Sequence, residues 1–253
     1  MKISVITVAY QSAKTLEETL RSVLAQTYAD VEYIVVDGGS TDGTVDIIRR
    51  WEPAFNGRLR WVSEPDHGIY DAMNKGIRMA TGEVVGILNS DDFFAAPSIL
   101  EQVAAAFAAD KALEGVYGDV RYVNPVHTER SVRHYSSARF TRKKLVYGLM
   151  PAHPSFYARK SCFERYGLYD THYRISADYD MFVRLIWNGN IRTRYLPFDF
   201  VVMRNGGASS SGFSARWRIM REHLRSAREH GMPSSFFLQC LRYFGKIADL
   251  LKK

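Results

Sequence analysis

Asn89-Ser90-Asp91-Asp92 follows directly on the apolar run Val84-Val85-Gly86-Ile87-Leu88. Two adjacent carboxylates at the end of a strand that should be buried repel one another and are costly to desolvate, so a cation is expected beside them. Hard oxygen ligands suit Mg2+ or Mn2+, which bind few protein carboxylates and complete their shells with water and substrate phosphates. The competing reading of the same four residues is an Asp-rich turn that caps the helix starting near Pro97.

The elements that must position this pair can be read from periodicity. Ile3 to Ala9 reads as a strand, followed by a helix from about Thr15 to Gln26 with Leu16, Leu20, Val23 and Leu24 on one face and a Thr15/Glu18 capping box. Glu32 to Val36 is the next strand, and Gly38-Gly39-Ser40-Thr41-Asp42-Gly43 turns into a helix through Ile47 and Ile48. Arg60 to Ser63, a helix from Ile69 to Ala80, the Val84 to Leu88 strand and a helix marked by Leu100, Val103, Ala104 and Phe107 continue the alternation. This order predicts an α/β fold, a mostly parallel sheet flanked by helices, with ligands beyond the carboxyl ends of the strands. Those ends deliver Tyr10, Asp37, Asp66 and the Asp91/Asp92 pair to one rim. A nucleotide diphosphate explains them together: Asp37 accepts from a base imide or ribose hydroxyl, Tyr10 stacks on the base, and Asp91/Asp92 hold ribose and metal-bridged phosphates. Taken singly, Asp37 also fits an Asx turn and Tyr10 a half-buried rim tyrosine.

The second half is less regular. Gly115 to Val123 reads as a strand or hairpin, Ser155 to Tyr157 as a strand, and Asp178 to Asn188 as a helix burying Met181, Phe182, Leu185 and Ile186. His127 to Lys144 is basic, and fits either a solvated loop or a loop that closes over a pyrophosphate. Gly206 to Gly212 is rich in Gly and Ser, the composition of a flexible hinge.

The ordered motifs resemble the family 2 glycosyltransferases of the GT-A fold, in particular the small bacterial enzymes that assemble exopolysaccharide, O-antigen and capsule. The matching stretches are Ser4 to Tyr10, Val35-Val36-Asp37-Gly38-Gly39-Ser40-Thr41-Asp42-Gly43-Thr44, Ser63 to Gly76, Asn89 to Asp92, and Ala177-Asp178-Tyr179-Asp180. They span about residues 3 to 205. The resemblance implies a GT-A catalytic domain over 1–205, with a nucleotide-binding half to about 119 and an acceptor-side half from 120. A hinge and basic amphipathic C-terminal helices follow over 206–253. It also implies a nucleotide-sugar donor, UDP-linked by preference, a divalent metal, inversion at the anomeric carbon, and a saccharide acceptor of the kind that related enzymes find on polyprenyl diphosphate.

By the same resemblance Asp37 is the base-recognition acid, Thr7 and Tyr10 line the nucleotide pocket, and Asn89 and Asp66 accompany them on the donor side. Asp91 and Asp92 occupy the DXD position as metal ligands, Asp92 the first choice of the two. Asn74 and Lys75 are donor-side residues, and Asp178 matches the catalytic base. The family commonly has Glu-Asp there, whereas this chain has Ala177-Asp178. The chemistry is sound on its own terms, since an acceptor hydroxyl is a poor nucleophile near neutral pH and needs a carboxylate to take its proton. Asp178 opens a helix, so N-capping is its alternative role. His153, in Met150-Pro151-Ala152-His153-Pro154, either touches the donor diphosphate, completes the metal shell, or packs in the core.

The charge is uneven. Of a net +7 over 253 residues, the stretch from Gly206 onward carries nine Lys/Arg against three acids, leaving the body close to neutral. That argues against nucleic acid as partner, which needs a basic stripe on the main fold. Two helices are expected in the tail, Ser214 to His230 with Trp217, Met220, Leu224 and Ala227 along one side, and Ser234 to Leu251 with Phe237, Leu241, Phe244, Ala248 and Leu251 aligned. A basic amphipathic helix either lies on an anionic membrane surface or packs on its own domain. Cys162 and Cys240 match no ligand or redox spacing, and no signal-peptide or membrane-spanning run is present, so a cytoplasmic protein, peripheral on the inner membrane, is expected. A sugar-phosphate nucleotidyltransferase would carry a Gly-rich basic loop where Tyr10 to Lys14 stands, and a dinucleotide oxidoreductase would carry Gly-x-Gly-x-x-Gly. A family member that binds nucleotide sugar without turnover has only Ala177 in its favour.

Overall fold

The computed structural model describes residues 1–206 and 212–241. The first half alternates as its periodicity predicts: β1 (Ile3–Ala9), α1 (Leu16–Leu24), β2 (Val31–Asp37), α2 (Thr44–Trp51), β3 (Leu59–Ser63), α3 (Ile69–Met79) and β4 (Val84–Ile87). The chain continues with β5 (Phe93–Phe94), α4 (Ile99–Ala109), β6 (Gly115–Val123), β7 (Ser131–Tyr135), β8 (Tyr157–Arg159), α5 (Lys160–Tyr166), α6 (Ala177–Phe182), β9 (Thr193–Arg204) and α7 (Gly212–Glu229). One sheet runs β3-β2-β1-β4-β8-β6-β9-β5, with β7 paired to β6. It is parallel from β3 to β4 and again between β6 and β9, with antiparallel joints at β4–β8, β8–β6, β5–β9 and β6–β7.

Every residue of β1, β2 and β4 is buried, which their near-continuous apolar sequences demand of strands covered on both faces. Alternate residues feed two cores. Ile6, Val8, Ile34 and Val36 pack with α3, α5 and α6, while Ile3, Val5, Tyr33 and Val35 pack with α1, α2 and α4. Gly76 lets α3 lie directly on the sheet, since a Cβ there would come within 2.3 Å of Ile6 Cγ2. The register aligns Ala9 with Asp37 and Asp37 with Ser63. Backbone bonds from Gly38 N to Ala9 O (2.9 Å) and from Glu64 N to Asp37 O (3.0 Å) then bring three loops out of the sheet together.

Several expectations shift. The Thr15/Glu18 capping box does not form: Thr15 makes no side-chain cap, and the Glu18 carboxylate is taken by Arg204. The strand expected at Ser155 to Tyr157 starts later, because His153–Ser155 with Pro154 forms a 3-10 turn first. The basic segment contains strand β7 and a 3-10 turn at Arg142–Tyr147, and Arg142 is spent on Trp187, donating to its carbonyl and lying 4.9 Å over its ring. The helix through Asn188 is α-helical to Phe182 and widens into a π turn over Val183–Asn188. Residues 207–211 of the expected hinge and 242–253 of the expected last helix lie outside the described residues; 236–241 are helical.

The tail helix α7 packs on the body. Met220, His223, Ser226 and Ala227 are buried, whereas Trp217 at its start is exposed and meets Phe236 at 5.9 Å, so the expected apolar stripe is split between two neighbours. Among the described residues, no helix is long and apolar enough to cross a membrane.

Candidate active site

Loops leaving β1, β2, β3 and β4 form one connected rim. The Tyr10–Thr15 loop and the Gly38–Thr44 loop are zipped by Gln11 N to Ser40 Oγ (2.8 Å), Ala13 N to Asp42 Oδ2 (3.0 Å) and Ser12 N to Thr44 Oγ1 (2.8 Å). Ser12 Oγ in turn meets Ser90 Oγ at 2.8 Å, tying the first loop to the acidic turn after β4. Gly38 separates Tyr10 from Asp66: a Cβ there would fall 2.4 Å from Asp66 Oδ2 and 3.3 Å from the Tyr10 ring. Tyr10 is 65% exposed, so its ring offers an open stacking face.

The acidic turn closes with Asp92 N donating to Asn89 O (3.1 Å). Thr19 Oγ1 of α1 holds it from below, donating to Ser90 O (3.1 Å) and Asp92 O (2.7 Å), while Arg204 at the end of β9 donates to Asp91 O. The turn does not cap the following helix, since β5 intervenes and Ser98 is the N-cap of α4. The Asp92 side chain is 1% exposed and receives Asn89 Nδ2 at 3.2 Å. Burial, reinforced by the Asp91 charge, pushes its carboxyl well above the ordinary carboxylate range. Asn89 Oδ1 is buried without a hydrogen-bond partner. Two carboxylates and an orphaned amide oxygen at one turn make an all-oxygen donor set, which fits a hard divalent cation.

Asp178 sits in the first turn of α6, half-buried. Ser176 holds the N-cap position, so Asp178 does not cap; its Oδ1 accepts from Tyr179 N (2.8 Å) and from the Tyr70 hydroxyl (3.4 Å). Burial raises its carboxyl to about 6, within the range of a working general base. Tyr70 lies in the first turn of α3 just after Asp66 and Gly68, so the helix bearing Asp178 is bonded to the rim. Ala177 is fully buried in the apolar core, where a carboxylate in its place would be desolvated.

The remaining candidates sit behind the rim. Asp37 is fully buried, its carboxylate accepting Gly39 N (3.1 Å), Ser40 N (2.9 Å), Ser40 Oγ (2.5 Å) and Ser63 Oγ (2.7 Å), the bonding of an Asx turn that shapes the loop. Thr7 does not reach the rim: two residues short of the strand end and fully buried, it accepts from Tyr33 OH at 2.9 Å. The Asn74 amide pairs both ways with the Tyr169 backbone (2.8 and 2.9 Å), and Lys75 ties Glu64 (2.8 Å) and Pro65 O (2.9 Å) to α3. His153 is half-buried, its Nε2 2.7 Å from Tyr169 OH and its ring packed edge-on to Tyr169 and Phe182; burial lowers it to about 4, so it is neutral.

Sequence reasoning missed Arg204, which lies in the unpredicted strand β9. It also missed a cluster of Asp119, His134 and Asp199, whose ligand atoms lie within 4.8 Å of one another. These oxygens already have partners, Ser137 N (2.6 Å) and Tyr195 OH (2.8 Å) on Asp119 and His134 Nε2 (2.8 Å) on Asp199, and the cluster pins β7 to β6 and β9. The signal was invisible because it depends on three strands meeting.

A parallel half-sheet with acids gathered at its carboxyl rim is the arrangement of a GT-A fold glycosyltransferase, and the comparisons agree. Residues 4–167 match the family described as Glycosyl transferase family 2. A PGL/p-HBAD biosynthesis glycosyltransferase of Mycobacterium tuberculosis is 34% identical over 193 residues, covering 76% of this chain and 73% of that protein. Among solved structures, S. aureus TarS in complex with UDP-GlcNAc superposes with a TM-score of 0.68 at 20% identity, covering 89% of this chain and 66% of that one; a longer TarS chain is spanned over 39% of its length. The mannosyltransferase PcManGT from Pyrobaculum calidifontis, in complex with GDP-Man and Mn2+, gives a TM-score of 0.64 at 21% identity over 98% of this chain and 80% of that one. The chain belongs to glycosyltransferase family 2.

Proposed function

We propose that the protein transfers a sugar from a nucleotide-diphosphate donor, with inversion, to a hydroxyl of a saccharide acceptor in the synthesis of a surface glycan. The observation that carries the reading is Asp178: a carboxylate raised to about 6 and bonded through Tyr70 to the loop that bears Asp66. In one displacement Asp178 accepts the acceptor hydroxyl proton while the oxygen attacks the anomeric carbon from the face opposite the leaving diphosphate. Tyr10 stacks on the base, and Asp66 and Asp37 shape its pocket around Gly38. Asp91, Asp92 and Asn89 are the residues that would hold Mg2+ or Mn2+, which supplies positive charge opposite the leaving nucleoside diphosphate. His153, already engaged by Tyr169, is assigned to packing rather than to that shell.

The S. aureus and Pyrobaculum neighbours are solved with UDP-GlcNAc and with GDP-Man and Mn2+, which supports a nucleotide-sugar donor and, with the first of them, favours UDP. A lipid-linked acceptor agrees with the tail, where Trp217, Phe236, Phe237 and Leu241 are exposed beside Arg216, Arg218 and Arg221. Thermal-shift screening of nucleotide sugars with Mn2+ present tests the donor assignment: a UDP-sugar should raise the Tm, and stabilisation by none of the nucleotide sugars contradicts it.

A further inference from the structure

The amides that lead into the base-bearing helix are held by the tail. Glu222, in the middle of α7, accepts Arg174 N at 3.1 Å through Oε1, and Ile175 N (3.0 Å) and Ser176 N (2.9 Å) through Oε2. Three successive N–H groups at the entry of α6 thus converge on one carboxylate from another element, in place of the side-chain N-cap that Ser176 does not make. The opposite edge of the same peptide is held from α3, where the Tyr70 hydroxyl donates to Ile175 O and lies 3.4 Å from Asp178 Oδ1. Segment 174–176 is therefore clamped between α7 and α3 two residues ahead of Asp178.

The clamp has a backing. Ser226 Oγ, one turn along α7 (2.8 Å), and His230 Nε2, just past its end (2.9 Å), both meet Asp180 Oδ1, and Asp180 Oδ2 is held within its own helix by Arg184 Nε at 2.8 Å. His223 stacks on Tyr179 with ring centroids 3.7 Å apart. These contacts dock α7 on α6 independently of Glu222, so the Glu222 carboxylate is free to set the position of the segment rather than to keep the tail attached.

We propose that Glu222 is a positioning residue for the transfer reaction, fixing through the backbone of 174–176 where the Asp178 carboxylate stands. The inference rests on the reading of Asp178 as the base. The groups that face the Asp178 carboxylate are the Tyr70 hydroxyl from α3, Tyr169 from the loop after α5, and Glu222 from α7. Of these, Glu222 acts on Asp178 by charge as well as through the backbone, holding its carboxyl up.

The test compares Glu222→Ala, Glu222→Gln and Asp178→Asn in the full-length chain, with kcat, donor KM, the pH profile of kcat and Tm as readouts. Misplacement of a reacting group by about 1 Å costs on the order of 100-fold, so Glu222→Ala should lower kcat by about that much with donor KM within about twofold. Glu222→Gln keeps one carbonyl acceptor and should lie between the alanine variant and wild type, with the acid limb of its profile moved to lower pH. If the alanine variant does not fold, the glutamine variant alone decides, through its kcat. Wild-type kcat in Glu222→Ala, or in Glu222→Gln where the alanine variant does not fold, overturns the inference. A silent Glu222 beside an inactive Asp178→Asn removes only the positioning role, whereas turnover in Asp178→Asn removes the base reading itself.

Discussion

The Tyr70 hydroxyl lies 3.4 Å from Asp178 Oδ1, joining the first residues of α3 to the first turn of α6 across 108 positions of sequence. Tyr70 also donates to Ile175 O and stacks on Tyr169 with ring centroids 5.7 Å apart. The parallel first half of the sheet, through α3, and the helices of the second half, through α6, are joined at this pair.

The pH dependence of transfer follows from it. Burial sets the Asp178 carboxyl at about 6, so kcat should fall as pH drops through about 6 and the base is protonated. The Tyr70 hydrogen bond pulls that value down, so Tyr70→Phe should move the acid limb to higher pH. The variant also frees Ile175 O and should lose about 1 kcal/mol of stability. A pH profile of kcat with a thermal melt checks both, and an unmoved acid limb contradicts the bond.

Metal dependence should centre on the turn after β4. Asp92→Asn removes the most buried carboxylate of the donor set and should lower Mn2+-dependent transfer by about 100-fold or more, the scale of losing one stabiliser of developing charge. Chelation of wild type should have the same effect and be reversed by Mn2+. Full activity in the presence of chelator would place the neutralising charge elsewhere.

Asn74 clamps the Tyr169 backbone with two buried hydrogen bonds. Asn74→Ala should cost about 2 kcal/mol in urea unfolding, from lost bonds and unsatisfied backbone groups, with donor KM changed less than twofold. A rise in donor KM without loss of stability would return Asn74 to the donor contacts.

How much of this was legible in the sequence depends on the range of the interaction. β1 to β4 and their helices announce themselves because each buries a continuous apolar run or a single face, and the parallel register then places Tyr10, Asp66 and the acidic turn on one rim without further information. β9 was missed because only Phe200, Val201 and Val202 of its twelve residues are buried, Pro197 interrupts it, and pairing with β6 and β5 rather than pattern stabilises it. Arg204 was missed with it. Thr7 carries a family motif position, yet its side chain is taken by Tyr33, a bond that a linear pattern does not encode, whereas the Asx turn of Asp37 was legible as the second reading of that residue. The clamp on segment 174–176 comes from a residue some 46 positions away on a helix that looked like an appendage.

The crowding at Gly38 is open to direct assay. Gly38→Ala places a methyl 2.4 Å from Asp66 Oδ2, and Asp66 is itself held by Gly68 N at 2.8 Å, so the rim must open. UDP affinity by calorimetry should fall about tenfold, near 1.4 kcal/mol, with little change in Tm. Unchanged affinity would move the nucleotide away from the Tyr10–Asp66 gap.

The central claim is that Asp178 is the base that activates the acceptor hydroxyl. It is tested most directly by measuring sugar transfer and nucleotide-sugar binding side by side in Asp178→Asn. Donor binding should persist while transfer is lost. Relief of a raised buried carboxylate should also stabilise the variant at pH 7, by at most about 3 kcal/mol at roughly 1.4 kcal/mol per pKa unit. Transfer at a near-wild-type rate in that variant would contradict the account.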